Sequence, residues 1–207
     1  MNKKFIAAVA IALTPMLWSS VAQADQDTTK PAAPATTTPY QPIIKLGVYL
    51  PSNDDLKTLM GDTWLSIGAE FPLKGQIVPS TLSSIYLDVA YANKSASDDL
   101  GDSASLDVTS VGVGYGVKYL FSQGNSQSVV PYLGAGVGVY GNQAKLFVST
   151  ADGDSGTSTV NNTNVGYKIS AGIMFNKRGL VELGYTDPGK LSGDSVAGTS
   201  ILVGWSF

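Results

Sequence analysis

The chain contains two glutamates, Glu70 and Glu182, and no histidine or cysteine. Both glutamates fall inside segments that otherwise alternate large apolar and small residues. Asp88 and three lysines, Lys45, Lys118 and Lys168, sit in the same kind of segment and at the same parity. Three acids against three bases can do one of three things. They can pair and fill space, line an ion path, or form a catalytic set. The missing histidine removes the commonest general base and the commonest metal ligand, so serine–histidine–acid catalysis is excluded. The missing cysteine removes thiol nucleophiles, disulfides and a lipoprotein anchor. If the six charges share a narrow interior they must balance, because an unpaired buried charge costs several kcal/mol. Chain proximity predicts the pairs Lys45–Glu70, Asp88–Lys118 and Lys168–Glu182.

The segments that carry these charges have a period of two. Runs bounded by Gly/Asn/Asp/Ser clusters predict eight strands, at 43–50, 63–71, 82–93, 107–121, 129–141, 164–175, 180–187 and 197–207. The connections after the second, fourth and sixth strands are short. Those after the odd-numbered strands are more acidic, with the longest at 142–163. That rhythm describes an up-and-down antiparallel meander with both ends on the short-turn side. A capped helical turn is expected in the first long loop, from Asn53 through Leu59.

Sorting by parity gives two unlike faces. In VGVGYGVKYLF (111–121), one face carries Val111, Val113, Tyr115, Val117, Tyr119 and Phe121, and the other Gly112, Gly114, Gly116 and Lys118. All six charges lie on the glycine face. A soluble barrel or sandwich would show water a face of Thr, Lys, Glu or Gln, not tandem glycine. A transmembrane barrel turns its apolar face to lipid and its other face to a lumen. With eight strands that lumen is only just wide enough for side chains, and glycine makes room for Tyr49, Tyr86, Tyr132 and the lysines. The expected fold is therefore an all-β, eight-stranded antiparallel up-and-down transmembrane β-barrel. About 9–11 tilted residues span a bilayer as a strand, which the runs satisfy. Outward aromatics gather near strand ends: Phe71, Tyr119, Phe121, Phe175, Trp205 and Phe207 on the short-turn side, Tyr91 and Tyr185 nearer the other.

Residues 1–24 read as a signal peptide, with Lys3 and Lys4 before the apolar run Phe5 to Leu13 and a small-x-small site at Ala22-Gln23-Ala24. Pro15 and the shortness of the run argue against a membrane anchor. Residues 25–42 form a Pro/Thr-rich linker, and 43–207 the barrel. The net charge of −3 gives no basic stripe for nucleic acid.

The tail TSILVGWSF, with Ile201, Val203, Trp205 and a final Phe207 alternating, resembles the C-terminal strand of bacterial outer-membrane barrels. PYLGAGVGVYG (131–141) is similar to a strand of small barrels of the OmpW and opacity-protein type, and the general plan resembles the OmpX, OmpW and OmpA-domain group. The resemblance implies a Gram-negative outer membrane, with long loops outside and both mature termini in the periplasm. It also implies a terminal strand read by the barrel-assembly machinery, and contact with outer-membrane lipid and lipopolysaccharide. It leaves function open among structural proteins, adhesins, narrow conduits and lipid-modifying enzymes.

The outer connections carry Asp54, Asp55, Asp62, Asp98, Asp99, Asp102, Asp152, Asp154, Asp187 and Asp194. They form either a rim for divalent cations or a solvated acidic surface. ADGDSGTS (151–158) lacks the spaced third ligand and distal glutamate of a calcium loop, so a Gly/Ser/Asp loop tip is expected and no metal. Tyr49 and Trp64, inward near the outer end, either line a small pocket or fill space. The expectation is a monomeric barrel with a plugged lumen and a structural or surface-interaction role, not an enzyme and without a cofactor. The alternative is a narrow conduit or pocket for small hydrophobic molecules, through a lateral gap near Pro131 or beside Trp64. A lipid-modifying enzyme is the remaining, least favoured reading.

Overall fold

A computed structural model describes residues 41–73, 80–98, 102–121, 129–176 and 178–207. The signal peptide, the linker up to residue 40 and Asp99 lie outside the described residues. Pro39–Phe207 form one compact unit.

Eight long strands close into a barrel, and each hydrogen-bonds its neighbours in antiparallel order. They are β1 (Ile43–Pro51), β2 (Trp64–Pro72), β3 (Thr81–Ser97), β4 (Ser103–Leu120), β5 (Val129–Ser149), β6 (Ser155–Phe175), β7 (Gly179–Asp187) and β10 (Gly198–Ser206). β1 closes the ring against β10, from Ile43 opposite Ser206 to Pro51 opposite Gly198. The helix α1 (Asp54–Met60) and the two-residue strands β8 (Lys190–Leu191) and β9 (Asp194–Ser195) sit in connections at the long-loop end. Asn53 caps α1, its side chain accepting from the backbone N–H of Asp55 and Leu56.

The faces point as the parity argument requires. Val113, Val137 and Val203 are 53%, 58% and 62% exposed, whereas Lys118 and Glu182 are 4% and 0% exposed. The apolar face therefore covers the outside, and the glycine face lines the interior. Close approach explains two of the glycines. A Cβ on Gly136 would stand 2.8 Å from the Tyr86 ring, and one on Gly172 would stand 2.7 Å from the Tyr132 ring. Buried apolar clusters close both ends. Ile43, Leu120, Tyr132, Met174 and Leu180 close the short-turn end. Tyr49, Trp64, Leu56, Met60, Leu191 and Val196, with residues of β3 and β4, close the other.

The expected 142–163 loop is instead paired β-structure. β5 and β6 run on to Ser149 opposite Ser155, and the chain turns through Thr150–Asp154, where the Thr150 N–H donates to the Asp154 oxygen at 2.8 Å. Polar residues at 142–163 had read as loop. They alternate with Ala144, Leu146, Val148 and Val160, so a strand was still encoded, with its polarity reversed.

That reversal organises the outer part of the molecule. β1, β2, β7 and β10 are 9 residues long, about one tilted bilayer crossing. β3 to β6 are 17, 18, 21 and 21 residues long, and their excess stands beyond the rim as a four-stranded fin. Within the barrel an outward row reads Leu87, Val113, Val139, Val165. Higher on the same strands and the same side, the row reads Asn93, Asp107, Lys145, Thr159. The inward row beside it becomes Ala92, Val108, Ala144, Val160. The predominantly apolar side of the sheet thus changes from outward to inward along β3 to β6, with Phe147 remaining on the outward side.

Candidate functional site

The period-two geometry aims Lys45 (β1), Glu70 (β2), Asp88 (β3), Lys118 (β4), Lys168 (β6) and Glu182 (β7) into one lumen. Lys45 Nζ lies 2.7 Å from Glu70 Oε1 and 3.0 Å from Glu182 Oε1. Lys118 Nζ lies 2.5 Å from Glu70 Oε2 and 3.3 Å from Glu182 Oε2. Lys168 Nζ lies 3.1 Å from both Asp88 Oδ2 and Glu182 Oε1. Glu182 is therefore the hub, touching all three lysines, and it also accepts from the Tyr132 hydroxyl at 2.8 Å. The ammonium groups of Lys118 and Lys168 stand over the rings of Tyr132 and Tyr86, at 4.6 and 5.7 Å from the centroids. Three cations and three anions sum to zero, which satisfies the balance that burial demands.

Two of the three expected pairs are in contact. Asp88–Lys118 is a correction: Asp88 meets Lys168 across the lumen. Register is the reason. Asp88 lies opposite Gly112, and Lys118 opposite Leu82. Gly112 and Lys118 are separated by about 20 Å of strand. Adjacency of two strands in sequence gave no information about this axial offset.

Tyr49 and Trp64 are 4% and 1% exposed. Their ring centroids are 5.8 Å apart. The Tyr49 hydroxyl donates to the Val196 carbonyl, and Trp64 Nε1 donates to the Gly61 oxygen at 3.2 Å. Leu56, Met60 and Leu191 pack with them at the mouth, and Tyr49 also lines a small cavity. Asn142, buried on β5, ties the 188–197 connection to the wall by donating to the Pro188 oxygen at 2.9 Å. Among the described residues its Oδ1 has no hydrogen-bond partner. A cavity of about 20 Å³ is lined by Tyr49, Tyr140, Pro188, Asp88 and Lys168 among others. A second, also about 20 Å³, lies beside Glu70, Lys118, Ser170 and the other side of Lys168. Each has room for about one water molecule.

Sequence reasoning missed Tyr140, whose hydroxyl meets that of Tyr86 at 3.1 Å, although its parity placed it inward. It also missed Leu191 and Val196, which lie in a connection with no period to read. Ile201, Val203 and Trp205 face outward, and Phe207 is 80% exposed. The acidic residues of the outer connections are dispersed. Among the described residues no three acids converge as a metal site. On the fin, Asp107 accepts from Asn93 Nδ2 at 2.6 Å and from the Tyr91 hydroxyl at 3.0 Å. These bonds, the Asn93 one first, hold its carboxyl below the usual range.

No family model matches the sequence, and no curated protein does. Several solved structures align with most of the chain. Ail, the attachment invasion locus protein of Yersinia pestis in complex with the heparin analogue sucrose octasulfate, aligns over 80% of this chain and 95% of its own, with 13% identity and a TM-score of 0.48. The outer-membrane enzyme PagL aligns over 80% of this chain and 99% of its own, with 15% identity and a TM-score of 0.47. Neisserial surface protein A aligns over 81% of this chain and 95% of its own, with 16% identity and a TM-score of 0.45. The eight-stranded antiparallel closure of this chain stands on its own strand pairing.

Proposed function

We propose that this chain is an integral outer-membrane protein with a plugged lumen, working through the surface at its long-loop end rather than through transport or catalysis. The observation that carries the reading is the closed charge network. Six ionised side chains neutralise one another across the lumen, and the spaces beside them hold about one water each. The capped mouth supports the same reading, because α1 and the 188–197 connection pack onto Tyr49 and Trp64. The apolar belt faces lipid, the fin faces outward, and the termini lie in the periplasm. The alternating strand from Ile201 to Phe207 serves as the assembly signal. The protein works as a monomer, with lipopolysaccharide around its outer half.

Purified barrel inserted in a planar bilayer is expected to be silent. Steady single-channel conductance would sink the plug. Heated and unheated samples are expected to migrate differently in a denaturing gel, as a detergent-resistant barrel does.

A further inference from the structure

The fin has two sheet edges, and they are built differently. β2 leaves β3 after Leu65 opposite Tyr91. The stretch of β3 beyond it, 92–97, is short and carries Lys94. The helix α1 packs against β3, and Lys94 Nζ donates to the Thr58 oxygen at 3.0 Å. A short span, a lysine and a covering element are the usual guards of an open edge.

The β6 edge has none of them. β7 leaves β6 at Asp187 opposite Tyr167. Pro188 has no N–H to continue the ladder, and Gly189 turns the chain with a φ of 86°. The Gly189 N–H donates to Asp187 Oδ1 at 3.0 Å. Asn162 and Asn164 hold the departing connection, their Nδ2 groups donating to the Lys190 oxygen at 3.1 and 2.9 Å. β6 extends without β7 as far as Ser155. Among the described residues no strand pairs with that side of 155–163. Every residue of 155–163 is exposed, and its sequence, SGTSTVNNT, holds no charge and no proline.

The backbone says what fits there. An open edge offers unpaired N–H and C=O groups at alternate residues, and an extended chain is what satisfies them. Lower on the same side of β6, that is what is bound: β7 pairs antiparallel from Tyr167 to Phe175. A second copy in the same membrane is poorly suited to the place. Its own β6 edge runs in the same direction as this one, and its β3 edge, which runs in the opposite direction, is the guarded one. Thr157, Thr159 and Thr163 share one side of the open edge, where threonine and other β-branched residues make good cross-strand neighbours.

We propose that the edge of β6 at 155–163 binds an extended, uncharged segment of another protein, which adds to the fin as an antiparallel strand in the place that β7 vacates. This rests on the orientation proposed above, with the fin outside the cell.

The test uses the full barrel in phosphatidylcholine nanodiscs and a labelled synthetic peptide of alternating Thr and Val. Fluorescence anisotropy reads binding, with empty nanodiscs subtracted. Saturable binding is expected, little changed by salt because neither partner strand is charged. Thr157→Lys with Thr159→Lys, both exposed, is expected to weaken it about tenfold. The same peptide N-methylated along its backbone keeps its side chains, loses its donors, and is expected not to bind. Equal binding of the methylated peptide, or equal binding to the Lys variant, would overturn the proposal. So would binding no greater than to empty discs, or a barrel dimer in detergent that the Lys variant abolishes, which would give the edge to a second copy. A barrel that still shows heat-dependent mobility and bilayer silence, yet takes no peptide, loses the edge site and keeps the plug.

Discussion

Glu182 concentrates the consequences of burial in one side chain. Fully buried, it faces Lys45, Lys118 and Lys168 and accepts from Tyr132. Glu182→Ala leaves the lumen with one unbalanced positive charge, and breaking a buried pair costs about 3–5 kcal/mol. A lower unfolding temperature in detergent is the expected result. Adding Lys168→Ala restores neutrality and recovers part of the loss, so the two effects are not additive. Simple additivity would refute their coupling. Asp107 makes a different residue-level prediction, because it lies outside the bilayer and its carboxyl is held below the usual range. A depressed acid contributes stability that is present above its unfolded pKa and lost as pH falls through the folded one. Carbon-detected NMR titration is therefore expected to find the Asp107 carboxyl titrating below the ordinary aspartate range. Asn93→Ala should bring it back toward that range.

At the scale of elements, the unequal strand lengths separate two jobs. The 9-residue strands and the lower parts of β3 to β6 make the barrel, and the upper parts make the fin. The fin contributes nothing to the lumen network. Replacing residues 144–160 by a short turn is therefore expected to preserve heat-dependent gel mobility. Loss of the folded band would mean that the barrel depends on the fin. The cap is the more integral element. It brings Leu56, Met60, Leu191 and Val196 from two connections onto Tyr49 and Trp64, so its removal opens the outer end to water.

For the whole molecule, the governing feature is which side faces out. The described chain carries two tryptophans that report on it. Trp205 is 55% exposed on the outer wall, and Trp64 is 1% exposed under the cap. In vesicles containing brominated lipid, a variant retaining Trp205 alone is expected to be strongly quenched and one retaining Trp64 alone to be spared. The reverse pattern would turn the barrel inside out and remove the membrane assignment.

The sequence by itself determined the barrel. A period of two marks strands whatever surrounds them. Glycine opposite bulky apolar residues marks a crowded interior, and a balanced set of inward charges marks a closed one. These signals are local, so they are legible without knowing what lies across the lumen. Tertiary structure decided what depends on register and reach. Asp88 found Lys168 rather than Lys118 because the offset between strands, not their order, sets which side chains meet. The fin was hidden for a related reason. Its polar residues read as loop until pairing showed the same strands continuing with their faces exchanged, because the reversed alternation gains its meaning only from the neighbouring strand.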